Sequence, residues 1–269
     1  MIMLARRRRF SAFPAVVLPV VMSATLACDV ITADLKHSES AEWRKTYDLA
    51  PGGHVEINNI NGRIIVEPSS GNSVDVVAIK TARAATPEAA KEALGRVEIR
   101  DESSPNSIRI ATKLPRSNGW FEMGGAQVKY TVHVPAAAEV RLTTVNGGVE
   151  VNGLTGTIRA ETTNGGVVAR QISGSIDAST TNGGVDVELV KVGDGGAKLS
   201  CTNGGLKLRL PSSAKATISA SITNGGIDTN GLSLDTIESS RRRLEARLNG
   251  GGPSIRLEGT NGGITIVGR

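Results

Sequence analysis

Reactive side chains are few in this sequence and lie far apart. Its 269 residues hold three histidines (His37, His54 and His133) and two cysteines (Cys28 and Cys201). Metal centres and nucleophilic sites need such groups at close, regular spacing, so neither a metal ion nor a cofactor is expected. Paired carboxylates could still act as acid and base on a polysaccharide. A repeat shows where to look for them: TTNGGV spans Thr162–Val167 and returns at Thr180–Val185. Four residues after each repeated Asn the chain holds Glu150, Val168, Asp186, Lys207, Asp228 and Thr265. Val168 and Lys207 interrupt the acids, so neighbouring repeats never offer two carboxylates in this column. The repeats also lack histidine and any aromatic ring on which a sugar could stack. Aspartate does not recur at a fixed place after glycines, as a calcium-binding roll requires. These residues point to contact without catalysis; a β-helix enzyme acting on polysaccharide is the alternative.

The repeat also dictates the scaffold. Its corners are Asn146, Gly147 and Gly148; Asn164, Gly165 and Gly166; Asn182, Gly183 and Gly184; Asn203, Gly204 and Gly205; Asn224, Gly225 and Gly226; and Asn261, Gly262 and Gly263. An irregular copy begins at Asn249. Three residues after the regular Asn come Val149, Val167, Val185, Leu206, Ile227 and Ile264, all apolar. Five after it come Val151, Ala169, Val187, Leu208, Thr229 and Ile266, and four before it Leu142, Ala160, Ala178, Leu199, Ala220 and Leu257. This period-two alternation marks two short half-buried strands per repeat. Asn tolerates the left-handed backbone region and Gly enters it freely, so each Asn-Gly-Gly is a corner. Extra residues in the longer repeats fall at a second corner, as in Leu210–Lys215.

Two architectures fit. A parallel β-solenoid of about 18–21 residues per coil stacks each strand on its equivalent. An antiparallel β meander uses every Asn-Gly as a hairpin turn. A meander needs only its turns to recur, whereas here whole coils recur, including the Thr before Asn164 and Asn182. The expectation is therefore an all-β solenoid with ladders of Thr, Asn and aliphatic side chains.

The flanks complete the organisation. Residues 1–27 read as a secretory signal, with Arg6 to Arg9 ahead of an apolar stretch. Leu26–Cys28 resembles a bacterial lipobox, which makes Cys28 a lipidated residue and the membrane a partner through that lipid. Ordinary cleavage after Ala27 would instead give a secreted or periplasmic soluble protein. Removing the signal leaves 27 Lys and Arg against 26 Asp and Glu, and no clustered basic footprint of a nucleic-acid binder remains. Residues 28–42 read as the lipidated cysteine and a tether, and 43–135 as a β-rich N-terminal cap. One short helix is expected in that cap, with Thr86 capping, Pro87 at its first position and Gly95 at its end. Asn61 and Gly62 are read as a degenerate first corner, and residues 136–269 as the solenoid. Trp120 and Phe121 are either an exposed contact or a loop folded onto the cap. Arg241 and Arg243 are either an anion contact or a solvated strand face. The chain closes on a strand, Ile264–Val267, which suggests an uncapped last coil open to self-association.

Tyr130–Val167 and Leu248–Ile266 resemble the bacterial "putative adhesin" family of β-strand-repeat envelope proteins. The resemblance implies a β-helix-like, exported, non-enzymatic protein of the cell envelope with no catalytic residue to carry over. A glycan or protein surface is the implied ligand.

Overall fold

The computed structural model describes residues 36–114 and 125–269; Cys28, Trp120 and Phe121 lie outside them. The chain opens with β1 (His37–Asp48), β2 (His54–Asn58), β3 (Ile64–Pro68) and β4 (Ser73–Ala84), followed by α1 (Pro87–Gly95). Then come β5 (Glu98–Ser104), β6 (Ser107–Lys113), β7 (Gln127–Val134), β8 (Glu139–Asn146) and β9 (Val149–Asn152). The repeats supply β10 (Ile158–Asn164), β11 (Val167–Ile172), β12 (Ile176–Asn182), β13 (Val185–Leu189), β14 (Ala197–Asn203) and β15 (Leu206–Leu210). The last part holds β16 (Ala216–Asn230), β17 (Leu234–Ser239), β18 (Arg243–Leu248) and β19 (Ser254–Gly268). Thr86 caps α1 as expected, its hydroxyl accepting from the Ala89 amide at 3.2 Å.

Equivalent strands of successive repeats pair in parallel and in register. Asn164 lies opposite Asn146 on one side and Asn182 on the other, which excludes the meander. A first-half ladder runs β6, β2, β8, β10, β12, β14, β19, β16. A second-half ladder runs β7, β3, β9, β11, β13, β15, β19, β16. The protein is thus a parallel β-solenoid of eight layers, whose last two are single long strands bent through the corner. Antiparallel strands close the ends: β5 on β6, β4 on β7 with β1 beyond it, and β18 on β16 with β17 beyond it.

Three expectations need correction. The solenoid does not begin at residue 136, because β2/β3 and β6/β7 are layers in register with the repeats, and Asn61 bridges Asn146. Residues 37–42 are not part of a tether, since His37–Glu42 already pair with β4; their polar sequence suits an edge strand as well as it suits a linker. Nor is the final strand an open end. β19 is sandwiched between β14/β15 and β16, so Asn261 lies between Asn203 and Asn224. The outermost coil is β16. Its core position five after Asn224 holds Thr229, exposed where other layers bury an aliphatic side chain. A polar residue there lets that layer face water. The irregular Asn249 explains the transposition: its left-handed backbone (φ 49) and the glycines after it turn the chain from β18 back into the stack. Its side-chain amide donates to the Ser212 and Ala214 carbonyls at 2.8 and 2.7 Å.

The inward columns form one continuous apolar core from Tyr47 to Ile266. At the corners, polar side chains make the ladders that the repeat suggested. The amides of Asn146, Asn164, Asn182, Asn203, Asn261 and Asn224 each donate to the Asn carbonyl of the adjoining layer, starting at Asn61, over 2.8–3.0 Å. One step inward, the Thr144, Thr162 and Thr180 hydroxyls donate to the carbonyls of Gly62, Gly147 and Gly165. Cys201 takes the next place, its thiol donating to the Gly183 carbonyl at 3.1 Å. It is a small buried filler at that position, and burial pushes its pKa up.

The two glycines of a corner differ in kind. At Gly204 φ is +149, and a Cβ would overlap the Gly183 carbonyl oxygen of the layer below. At Gly205 a Cβ would sit in ordinary contact, 3.7 Å from the Gly263 oxygen. Gly204→Ala should therefore cost about 3 kcal/mol or more, and Gly205→Ala less than about 1 kcal/mol. Urea unfolding of the two variants checks this; equal losses would contradict it.

Candidate functional site

Outward-facing residues are what the stack leaves for function. On the second-half face, the column searched for carboxylates reads, in layer order, Glu150, Val168, Asp186, Lys207, Thr265 and Asp228. Transposition of the last layers puts Thr265 beside Lys207, and acids still do not neighbour one another. Asp186 is the most enclosed of them. Arg170 Nη2 approaches one carboxylate oxygen at 2.9 Å, and Arg209 Nη1 the other at 2.6 Å. Burial acts to raise the Asp186 pKa, but hydrogen bonds from Arg170 and Arg209 outweigh it and hold the group below the usual carboxylate range. With both oxygens occupied by guanidinium groups from adjacent layers, Asp186 is an interlayer clamp. It is not placed as a base. Glu150 makes a looser ion pair with Arg63 alone, at 3.8 Å. At the capped end, the Lys45 ammonium and the Tyr47 hydroxyl converge on Asp101 at 2.5 and 3.0 Å, and the Lys45 hydrogen bond leads in lowering the Asp101 pKa.

The first-half face carries two grooves. One, about 530 Å³, runs over Thr157, Arg159, Ser175, Asp177, Lys198 and Arg256. The other, about 340 Å³, is lined by hydroxyls, with Thr143, Thr163, Ser179, Thr181 and Ser200 along it, and by the Glu161 carboxylate. Both come from the alternation that buries Ile158, Ala160 and Thr162 and their equivalents: the intervening residues must point out, and in-register stacking lines them up. Sequence reading passed over this face because it followed the column four after each Asn. The position five before each Asn would have found its charges.

Arg243 lies on β18 with Leu244, Ala246 and Leu248 buried on the opposite side. Its guanidinium is 3.9 Å from Glu238. Arg241 is exposed just outside the strand, where its carbonyl accepts from the Ile227 amide at 3.1 Å; the Arg242 carbonyl takes the Ile222 amide at 3.0 Å. Their backbone thus covers the corner of the outermost coil. Asn and Gly at the other corners serve as structure. Among the described residues no group of histidine, cysteine and acidic side chains is placed to hold a metal ion, and no helix is long and apolar enough to cross a membrane.

Residues 89–267 match the family described as Toastrack DUF4097. Among solved structures, a "putative cell adhesion protein" of Clostridium sporogenes aligns at TM-score 0.52 with 13% identity, covering 86% of this chain and 100% of that one. A "putative adhesin" of Bacteroides fragilis aligns at 0.31 with 11% identity over 85% and 97%. A "putative lipid binding protein" of Parabacteroides distasonis aligns at 0.25 with 9% identity over 88% and 95%. The first likeness shows a shared fold. No curated protein matches the chain.

The Asp186 clamp has a pH signature. Its folded pKa lies below the unfolded value of about 3.9, so its contribution is complete above that value and lost as pH falls through the folded one. Asp186→Asn should cost about 2 kcal/mol at pH 7 and less at pH 3. Urea titrations at the two pH values measure it, and an equal cost at both would count against the clamp.

Proposed function

The chain belongs to the Toastrack DUF4097 family, and from that premise we propose that it is a non-enzymatic protein of the bacterial cell envelope whose β-solenoid serves as an adhesion or scaffold surface. The observation that carries this reading is the regular outer face, where in-register strands present rows of exposed side chains along the full stack. Its best-placed acid, Asp186, is spent on holding layers together. The described cell-adhesion relative has the same fold, and the Arg-led apolar segment before Cys28 supports export. In this reading Cys28 carries the lipid that anchors the protein.

Two measurements test it together. Metabolic lipid labelling with membrane fractionation should place the full chain in the membrane, and Cys28→Ala should move it to the soluble fraction. Cells carrying the full chain should adhere to host or glycan surfaces better than cells lacking it. Shortening of a polysaccharide by the purified protein would replace this reading with an enzymatic one.

A further inference from the structure

Among the described residues, the longest unpaired strand edge belongs to β1. Its 12 residues pair with β4 along one side, and no described strand pairs with it along the other. This edge also leads at its end of the stack. The second-half ladder continues past β7 through β4 to β1, whereas the first-half ladder stops at β5, one strand short of it. A long edge is a template for another chain, and the side chains facing across it decide which chain fits.

The strand that β1 fits is a second copy of itself. A twofold axis perpendicular to the sheet sets two copies antiparallel, and side-chain alternation then requires some residue to meet its own copy at the axis. Two such registers overlap nearly the whole strand. With Glu42 on the axis, two carboxylates oppose each other at the centre. With Trp43 on the axis, Glu42 meets Arg44 of the second copy and Arg44 meets its Glu42. Ser40 then faces Thr46, Ala41 faces Lys45, Glu39 faces Tyr47 and Ser38 faces Asp48, so no like charges stand opposite one another. Glu42 and Arg44 are exposed and within 3.0 Å of each other on one strand, free to turn across the edge. Trp43 packs on the core but is only partly buried. On the axis its exposed part meets the same ring of the second copy. From this arrangement we propose that the protein forms a symmetric dimer through antiparallel pairing of β1 with β1 of a second copy. The pairing joins two second-half ladders into one sheet and closes at two copies, because it uses up the edge. It stands apart from the surface reading above, and either can fail alone.

The test measures the mass of the full chain without its lipid anchor (Cys28→Ala) by sedimentation equilibrium over a range of concentrations. This parent should form a concentration-dependent dimer and nothing larger. Glu42→Arg sets like charges opposite each other twice, and so does Arg44→Glu, so either variant alone should dimerise about tenfold or more weakly. Mixing the two variants restores opposite charges at both places and should bring back the dimer, now with one copy of each. Melting temperatures equal to that of the dilute parent show that both variants are folded. A parent that stays monomeric at every concentration, folded single variants that dimerise as tightly as the parent, or a mixture that stays monomeric would each overturn the proposal.

Discussion

Everything in this molecule depends on how closely one corner lies on the next. Layers joined by parallel backbone hydrogen bonds are separated by less than 5 Å, and at the turn that leaves no room for a Cβ above the carbonyl of the glycine below. Gly165, Gly183, Gly204, Gly225 and Gly262 are all held this way. The same proximity brings each Asn amide within hydrogen-bond reach of the next and lets three Thr hydroxyls and one thiol satisfy the buried corner carbonyls. Close stacking thus makes the constraint and also supplies the bonds that offset it. A single coil would have neither, so stability resides between neighbours.

That dependence makes the ends the weak points of the fold, and both are treated alike. At each end the chain lays down its outermost layer out of sequence: β6/β7 lies outside β2/β3, and β16 lies outside β19. Antiparallel strands then cover what remains, most fully over the first-half ladder beyond β16. The second-half edge of β16 is only four residues long and carries Asp228, Thr229 and Asn230, all exposed. Short length and polar side chains blunt an edge against unwanted pairing. The last strand is held inside the stack, with Val267 between Arg209 and Asn230.

Much of this was legible in the letters. Alternation on both sides of each Asn gave the strands and their buried faces, as at Val149 and Val151 after Asn146. Recurrence of whole coils selected parallel stacking. Layer order was not legible, because Asn203, Asn224 and Asn261 carry equivalent coils and nothing local says which two are neighbours. The clue lay in features that read as noise: the irregular Asn249 and the polar Thr229 in an apolar column. β1 was missed because an exposed edge strand of Ser, Glu, Arg and Lys has the composition of a linker. The charged row on the first-half face escaped because a search for catalysis follows acids, whereas a surface is built from whatever stacking places in line.

The central claim is parallel, in-register stacking with the last strand inside. It is tested most directly by cysteine pairs at outward positions in a background with Cys28 and Cys201 replaced. Ser200 and Ser221 both lie opposite Glu258, on its two sides. Ser200→Cys with Glu258→Cys, and Glu258→Cys with Ser221→Cys, should cross-link on mild oxidation, whereas Ser200→Cys with Ser221→Cys, two layers apart, should not. Efficient cross-linking of Ser200→Cys with Ser221→Cys, and none of Ser200→Cys with Glu258→Cys, would mean that the coils stack in chain order and would contradict the account.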